Sequence, residues 1–308
     1  SGRSSPRRST TVSDHTFGSL AGMTARTSAS RSYPAAAGAE SAGRGQPRPE
    51  AEPDERRPGA AERMRTLVES NASAVLVIPG ADPAGPDWPG QGCCEARVVT
   101  PEGDVLLLVP AASPAARAAA HARDGDLAAV MEITDVAPVA VPHRVRGRAR
   151  VTGWLTPVSG GEWAARTRLR AERHPSGPLP GPAWTPLRLE VGEGWIGDLR
   201  GEGHVEPDEF AAASPDPLAR HEAELLQHLA AAHDDLLRGL CSFPDERGRA
   251  CEVREAVVPV ALDRFGLRVR FRTGGRIFDA LFDFPRPVRD VSGLRRAIRA
   301  LFEAGSAS

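Results

Sequence analysis

The sequence contains no lysine, so all 39 of its basic side chains are arginine. That excludes a Schiff base formed on the chain's own amine, and it excludes the lysine of a P-loop. Aromatic residues make up 5% of the 308 residues. The single tyrosine, Tyr33, lies in a stretch with almost no large apolar residue, so a catalytic phenol is not expected. The four cysteines, Cys93, Cys94, Cys241 and Cys251, form no C-x-x-C. An adjacent pair in an extended segment points to opposite faces, so neither a zinc site nor a disulfide framework is expected. Such cysteine usage suits a reducing, cytoplasmic setting. No apolar run is long enough to span a bilayer. Arg7-Arg8 is followed by no apolar h-region, so export is not expected, and Met23 stands as an alternative start. With 39 basic and 40 acidic residues and a net charge of -1, the chain has no overall attraction for nucleic acid. Neither nucleic acid nor membrane is an expected partner.

What is abundant is arginine, alanine, glycine and proline, as a GC-rich coding sequence would produce. Residues 1–58 hold mostly Ser, Arg, Ala, Gly, Pro and Glu and cannot bury enough surface to offset their ordering entropy, so they read as a disordered tail. From Gly59 the texture changes. AAERMRTLVESN has helical spacing, SAVLVIP is a short buried strand, and CCEARVV-PEGD-VLLLVP is a hairpin. Ser113 and Pro114 cap and open an alanine-rich helix. LAAVMEI and VPHRVRGRARVTGWL are strands, GEWAARTRLRAERH is a helix, and 187–199 reads as two strands joined at Gly192–Gly194. After residue 205 come a short helix, a long helix, three strands within 251–284, and a last helix closing at Gly305. The expected class is α+β: a six-stranded split β-barrel over 59–205, followed by a smaller α-β-β-β-α domain over 206–308.

Within HRVRGRARV, residues 143–151, Arg144, Arg146, Arg148 and Arg150 share one parity, and small or branched residues share the other. The small parity suits the interior of a narrow barrel. The arginine parity is then either a solvated outer face or a clamp for phosphate or carboxylate, which a guanidinium grips through two parallel hydrogen bonds. DNA binding is a weaker third option, since stacking aromatics and a reading motif are lacking.

Histidines supply the other candidates. Leu225, Leu229, His233, Leu236 and Leu240 recur at helical spacing, which places His233 in an apolar stripe, either as a hydrogen-bonded core residue or as an iron ligand. His221, Glu224 and His228 share a different face. His204 follows the glycine-rich loop GEGWIGDLRGEGH, in which Trp195 reads as a half-buried anchor.

Together, RTLVESNASAVLVI, the hairpin, the alanine-rich helix and RVRGRARVTGWL resemble the pyridoxamine-phosphate-oxidase-like (FMN-binding) split-barrel family. WIGDL, EPDEFAAASPDPL and HEAELLQHLAAAHDDLL, with the terminal strands and helix, resemble its heme-utilisation branch, which carries a C-terminal α+β domain of unknown function. The resemblance covers about 60–305. It implies a homodimer that holds heme, or alternatively FMN, between subunits. Arg144, Arg146 and Arg148, with His204, His228 and His233, would be cofactor-binding residues, and His233 or His204 the metal ligand. No residue is assigned a catalytic role. The sequence departs from the branch in one helix motif: where relatives read H-L-N-x-D-H, this chain runs from His228 to His233 with alanines at 230 and 232. Arg117 stands where many such barrels carry histidine, and no hydroxyl-rich phosphate set accompanies the arginines apart from Thr152. The expected function is heme binding in heme utilisation or homeostasis, with oxidative degradation as an extension. The alternatives are an FMN-dependent oxidoreductase and a non-enzymatic regulator that binds an enzyme of tetrapyrrole metabolism.

Overall fold

Alternating and continuous apolar runs assign the strands of a computed structural model that describes residues 26–28, 57–80, 94, 96–122, 127–171, 182–240, 256–273 and 275–306. The elements in chain order are β1 (Arg26–Ser28), α1 (Ala60–Glu69), β2 (Ser73–Val77), β3 (Ala96–Val99), β4 (Val105–Pro110), α2 (Pro114–His121), β5 (Leu127–Val136), β6 (Val145–Pro157), α3 (Gly160–Ala171), β7 (Trp184–Asp198) and β8 (Gly201–Val205). There follow α4 (Pro207–Ala212), α5 (Ala219–Ala232), α6 (Asp234–Gly239), β9 (Ala256–Asp263), β10 (Gly266–Thr273), β11 (Arg276–Asp283) and α7 (Val291–Ser306).

The first sheet is antiparallel, seven-stranded and curled into a half-barrel, in the order β2-β5-β6-β7-β4-β3, with β8 added on β7. Period-2 alternation in β6 sends Ala149 and Val151 inward, where they are 1% and 0% exposed. In β4 every residue from Val105 to Val109 is buried, because both faces are covered. Leu107 joins the barrel core with α1 and α2, while Leu106 and Leu108 pack with Trp163 of α3 on the other side. Such double burial is why VLLLV reads as continuous rather than alternating. The main-chain N–H of Cys94 donates to Ala74 O at 3.1 Å, tying β2 to the segment that leads into β3.

The curl comes from a bulge. Thr152 faces Glu193 and Gly153 faces Val191, so Gly192 is the extra residue. The backbones approach so closely that a Cβ on Gly153 would lie 1.9 Å from Glu190 O. Where two strands were expected over 187–199, β7 runs unbroken from Trp184 to Asp198, because Gly192 serves a bulge and not a turn.

The second sheet has the order β1-β11-β10-β9. Leu267, Val269 and Phe271 of β10 face a core shared with α5, α6 and α7. Most of the tail expected to be unstructured lies outside the described residues, but Arg26–Ser28 within it pairs with β11. Two other expectations change. The long helix breaks at His233, which ends α5, and Gly305 lies inside α7, which runs to Ser306. Leu236, assigned to the stripe, is 39% exposed.

Candidate functional site

The four arginines of the 144–150 row do four different things. Arg144 turns back on its own loop, donating through Nε and Nη2 to Ala137 O at 3.3 and 2.9 Å. Arg146 is buried at the seam between the half-barrel and the second unit. Its two Nη groups donate to the two carboxylate oxygens of Glu222 on α5, each at 2.7 Å. Nη1 also reaches Val260 O at 2.8 Å, and Nε lies 2.7 Å from Asp135. Burial works against the charge on Arg146, but Glu222 and Asp135 outweigh it and hold the guanidinium above its ordinary pKa. Arg146 is thus a joint between the two units, held by Glu222, Asp135 and Val260 O.

Arg148 and Arg150 remain on the open outer face. Arg150 meets Glu132 at 3.4 Å, both side chains more than half exposed. Such a pair contributes little in water. Arg148 is exposed and makes no hydrogen bond or ion pair with any described residue.

Strand register shows what accompanies them. Glu132, Arg150, Trp195 and His204 stand opposite one another across β5, β6, β7 and β8. The next row in the same direction is Thr134, Arg148, Gly197 and Glu202. The rows are two residues apart, roughly 7 Å along a strand. The Trp195 ring lies along the strand over Gly197: a Cβ there would sit 2.6 Å from Trp195 Cη2. The indole therefore reaches from its own row to the row of Arg148. His204 is 55% exposed, and its ring nitrogens lie 3.5 Å from Glu193 and 3.4 Å from Glu206. Trp154 and Val77 extend the exposed apolar area on β6 and β2.

The other histidines lie elsewhere. His233 leaves the helical stripe at the end of α5, and its Nε2 meets His228 Nε2 at 3.2 Å. Both stand in the second unit. No described contact joins them to Arg148 or His204, so the structure does not bring the six expected residues together. Among the described residues no cluster of three His, Cys, Asp or Glu side chains is arranged to hold a metal ion. Cys94 is buried; the other cysteines lie outside the described residues.

Sequence reasoning missed the seam. Besides Arg146–Glu222, Arg200 pairs with Asp263, Arg264 meets Glu62 at 2.5 Å, and Arg270 grips Asp279 at 2.6 and 2.8 Å. Arg270 also donates to the carbonyls of Pro142 and His143, fixing the loop where His143 adopts a positive φ of 55°. Burial pushes the carboxyls of Glu62 and Asp216 above the usual range. A signal was available: GLRVRFRT alternates arginine and apolar residues as HRVRGRARV does. No helix among the described residues is long and apolar enough to cross a membrane.

The chain is similar in structure to a heme binding protein from Mycobacterium smegmatis, with a TM-score of 0.50 and 21% identity over 82% of this chain and 99% of that one. It also matches a protein of unknown function from Agrobacterium tumefaciens, with a TM-score of 0.31 and 14% identity over 77% and 92% of the two chains. The first likeness shows the fold. No family model matches the sequence, and no curated protein matches it.

Proposed function

We propose that the protein binds heme on the outer face of the half-barrel, against the rows that carry Arg148, Arg150, Trp195 and His204. The observation that carries this reading is the exposed guanidinium of Arg148, which no described residue pairs with, in the row that the Trp195 indole reaches over Gly197. A porphyrin is a flat apolar plate with two carboxylates on one edge. The indole would offer it a stacking surface, the arginines would hold its propionates, and the exposed imidazole of His204 would serve as a ligand to its iron. Bound heme would supply redox and oxygen chemistry at its iron. The chain's own residues would bind it, orient it by the propionates, and hold the His204 ring between Glu193 and Glu206.

A plate lying on an open face has its other side in water. A second copy of the chain, packed through Trp154, Trp195 and Val77, would cover that side, so the reading includes a homodimer with the ligand between copies. The protein of the same fold from Mycobacterium smegmatis, described as heme binding, supports heme over flavin.

Hemin titration tests the reading. The wild-type protein is expected to shift and sharpen the Soret band with a defined stoichiometry. His204→Ala is expected to move the band maximum and to weaken binding. A hemin spectrum that the wild-type protein leaves unchanged would sink the proposal.

A further inference from the structure

Between the half-barrel and the second sheet lies a cavity of about 150 Å³, lined by α1, β6, β7, α5, β9 and β10. Most charges on its wall are matched. Arg63 pairs with Asp198, Arg200 with Asp263, and Arg146 with Asp135 and Glu222. Glu62 pairs with Arg264. Asp216 is held by the main-chain N–H groups of Leu218 and Arg264 at 2.8 and 3.0 Å.

Arg268 is the exception. It lines the same cavity and is 6% exposed, yet it makes no hydrogen bond or ion pair with any described residue. Burial pulls its pKa below the ordinary value, and the nearby positive charge of Arg200 adds to that. Asp279, Asp198 and Asp263 act on it through space, but each is already gripped by another arginine: Asp279 by Arg270, Asp198 by Arg63, Asp263 by Arg200. A guanidinium this little exposed, to which no described residue offers an acceptor, is unfavourable unless something else supplies one. The cavity has room for an occupant, since a water takes up roughly 30 Å³.

We infer that this cavity is a binding site for a small oxyanion, a carboxylate or a phosphate, held by the fork of Arg268. The planar guanidinium matches the two oxygens of such a group. Arg200 lines the same cavity, and its positive charge acts on Arg268 through space. The occupant would bridge the two units, since Arg268 belongs to the second sheet and Arg63, Arg146 and Arg200 come from the half-barrel side. The site is separate from the outer face that carries Arg148, so it does not depend on heme.

The test uses the full chain in chloride buffer at fixed ionic strength, with inorganic phosphate and acetate as probes. Melting temperature is followed against probe concentration for the wild type and Arg268→Met. In the wild type at least one probe is expected to raise the melting temperature along a saturating curve, while added chloride does not. In chloride alone Arg268→Met is expected to melt at the wild-type temperature or above it, because an unmatched buried charge has been replaced by an apolar chain of similar length. The saturating response is expected to vanish in that variant and to persist in Arg148→Ala. Three results would each overturn the inference. One is a wild-type response to neither probe beyond that to chloride. Another is an undiminished response in Arg268→Met. The third is a lower melting temperature of Arg268→Met in chloride, which would mean that the guanidinium already has a partner within the protein.

Discussion

Replacing Arg146 by alanine is expected to lower stability by about 3–5 kcal/mol, the usual cost of removing one partner from a buried ion pair. The side chains of Arg146 and Glu222 are only 11% and 18% exposed, so little of this is screened by water. The loss has two parts. Glu222 and Asp135 are left as half-buried carboxylates without their cation, and Val260 O loses a donor. The contact also spans 76 residues of sequence, so it joins β6 to α5 rather than stiffening a local turn. At roughly 2–4 °C per kcal/mol for a chain of this size, the melting temperature should fall by about 10 °C. The double variant Arg146→Met, Glu222→Leu should recover much of that, because an apolar pair of similar volume is often as stable as a buried ionic one. Thermal or urea melts of Arg146→Met, Glu222→Leu and the double variant form a cycle that isolates the coupling. A loss below about 1 kcal/mol in Arg146→Ala would show that the seam is not held by this pair.

The second large effect is expected at Gly153. Alanine there would place its Cβ 1.9 Å from Glu190 O and 2.9 Å from Glu190 C. Both are backbone atoms, which cannot move aside as a flexible side-chain end would. Overpacking commonly costs about 1–3 kcal/mol, and a clash between paired strands at a bulge belongs at or above the upper end. The bulge at Gly153 and Gly192 bends the pairing of the long strands β6 and β7. Relief of the clash would therefore flatten the curl and disturb the outer face near Trp195 as well. Gly192 serves as the comparison, because a Cβ there would lie 3.6 Å from Thr152 O, an ordinary contact. Gly192→Ala should be much the milder variant in a denaturant melt. Equal losses at the two positions would contradict this account of the curl.

These two cases mark what could be read from sequence. Strands and helices followed from period and capping. Ser113 accepts from Ala116 N at 3.2 Å with Pro114 in the first turn, and the alternation of β6 sends the small residues inward as expected. Such signals are local, and local steric rules decide them. The uses of the four arginines were not legible, because parity says which face a side chain leaves from and not what lies opposite. Arg146 and Arg148 are equivalent in the pattern, yet one is covered by α5 and β9 and the other is open. The end of α5 was not legible for a similar reason. No glycine or proline marks His233, and the leucines beyond it keep helical spacing although the helix has broken there. Of the expected site, Arg148 and His204 share the outer face, while His228 and His233 form their own pair in the second unit.

The central claim is that Arg148 serves a ligand rather than the fold, and hemin affinity of Arg148→Ala measured beside wild type tests it most directly. A charge-assisted hydrogen bond is worth about 1.5–3 kcal/mol, so affinity is expected to fall roughly tenfold or more, with the melting temperature of the hemin-free protein unchanged. Undiminished hemin affinity in Arg148→Ala would contradict the account.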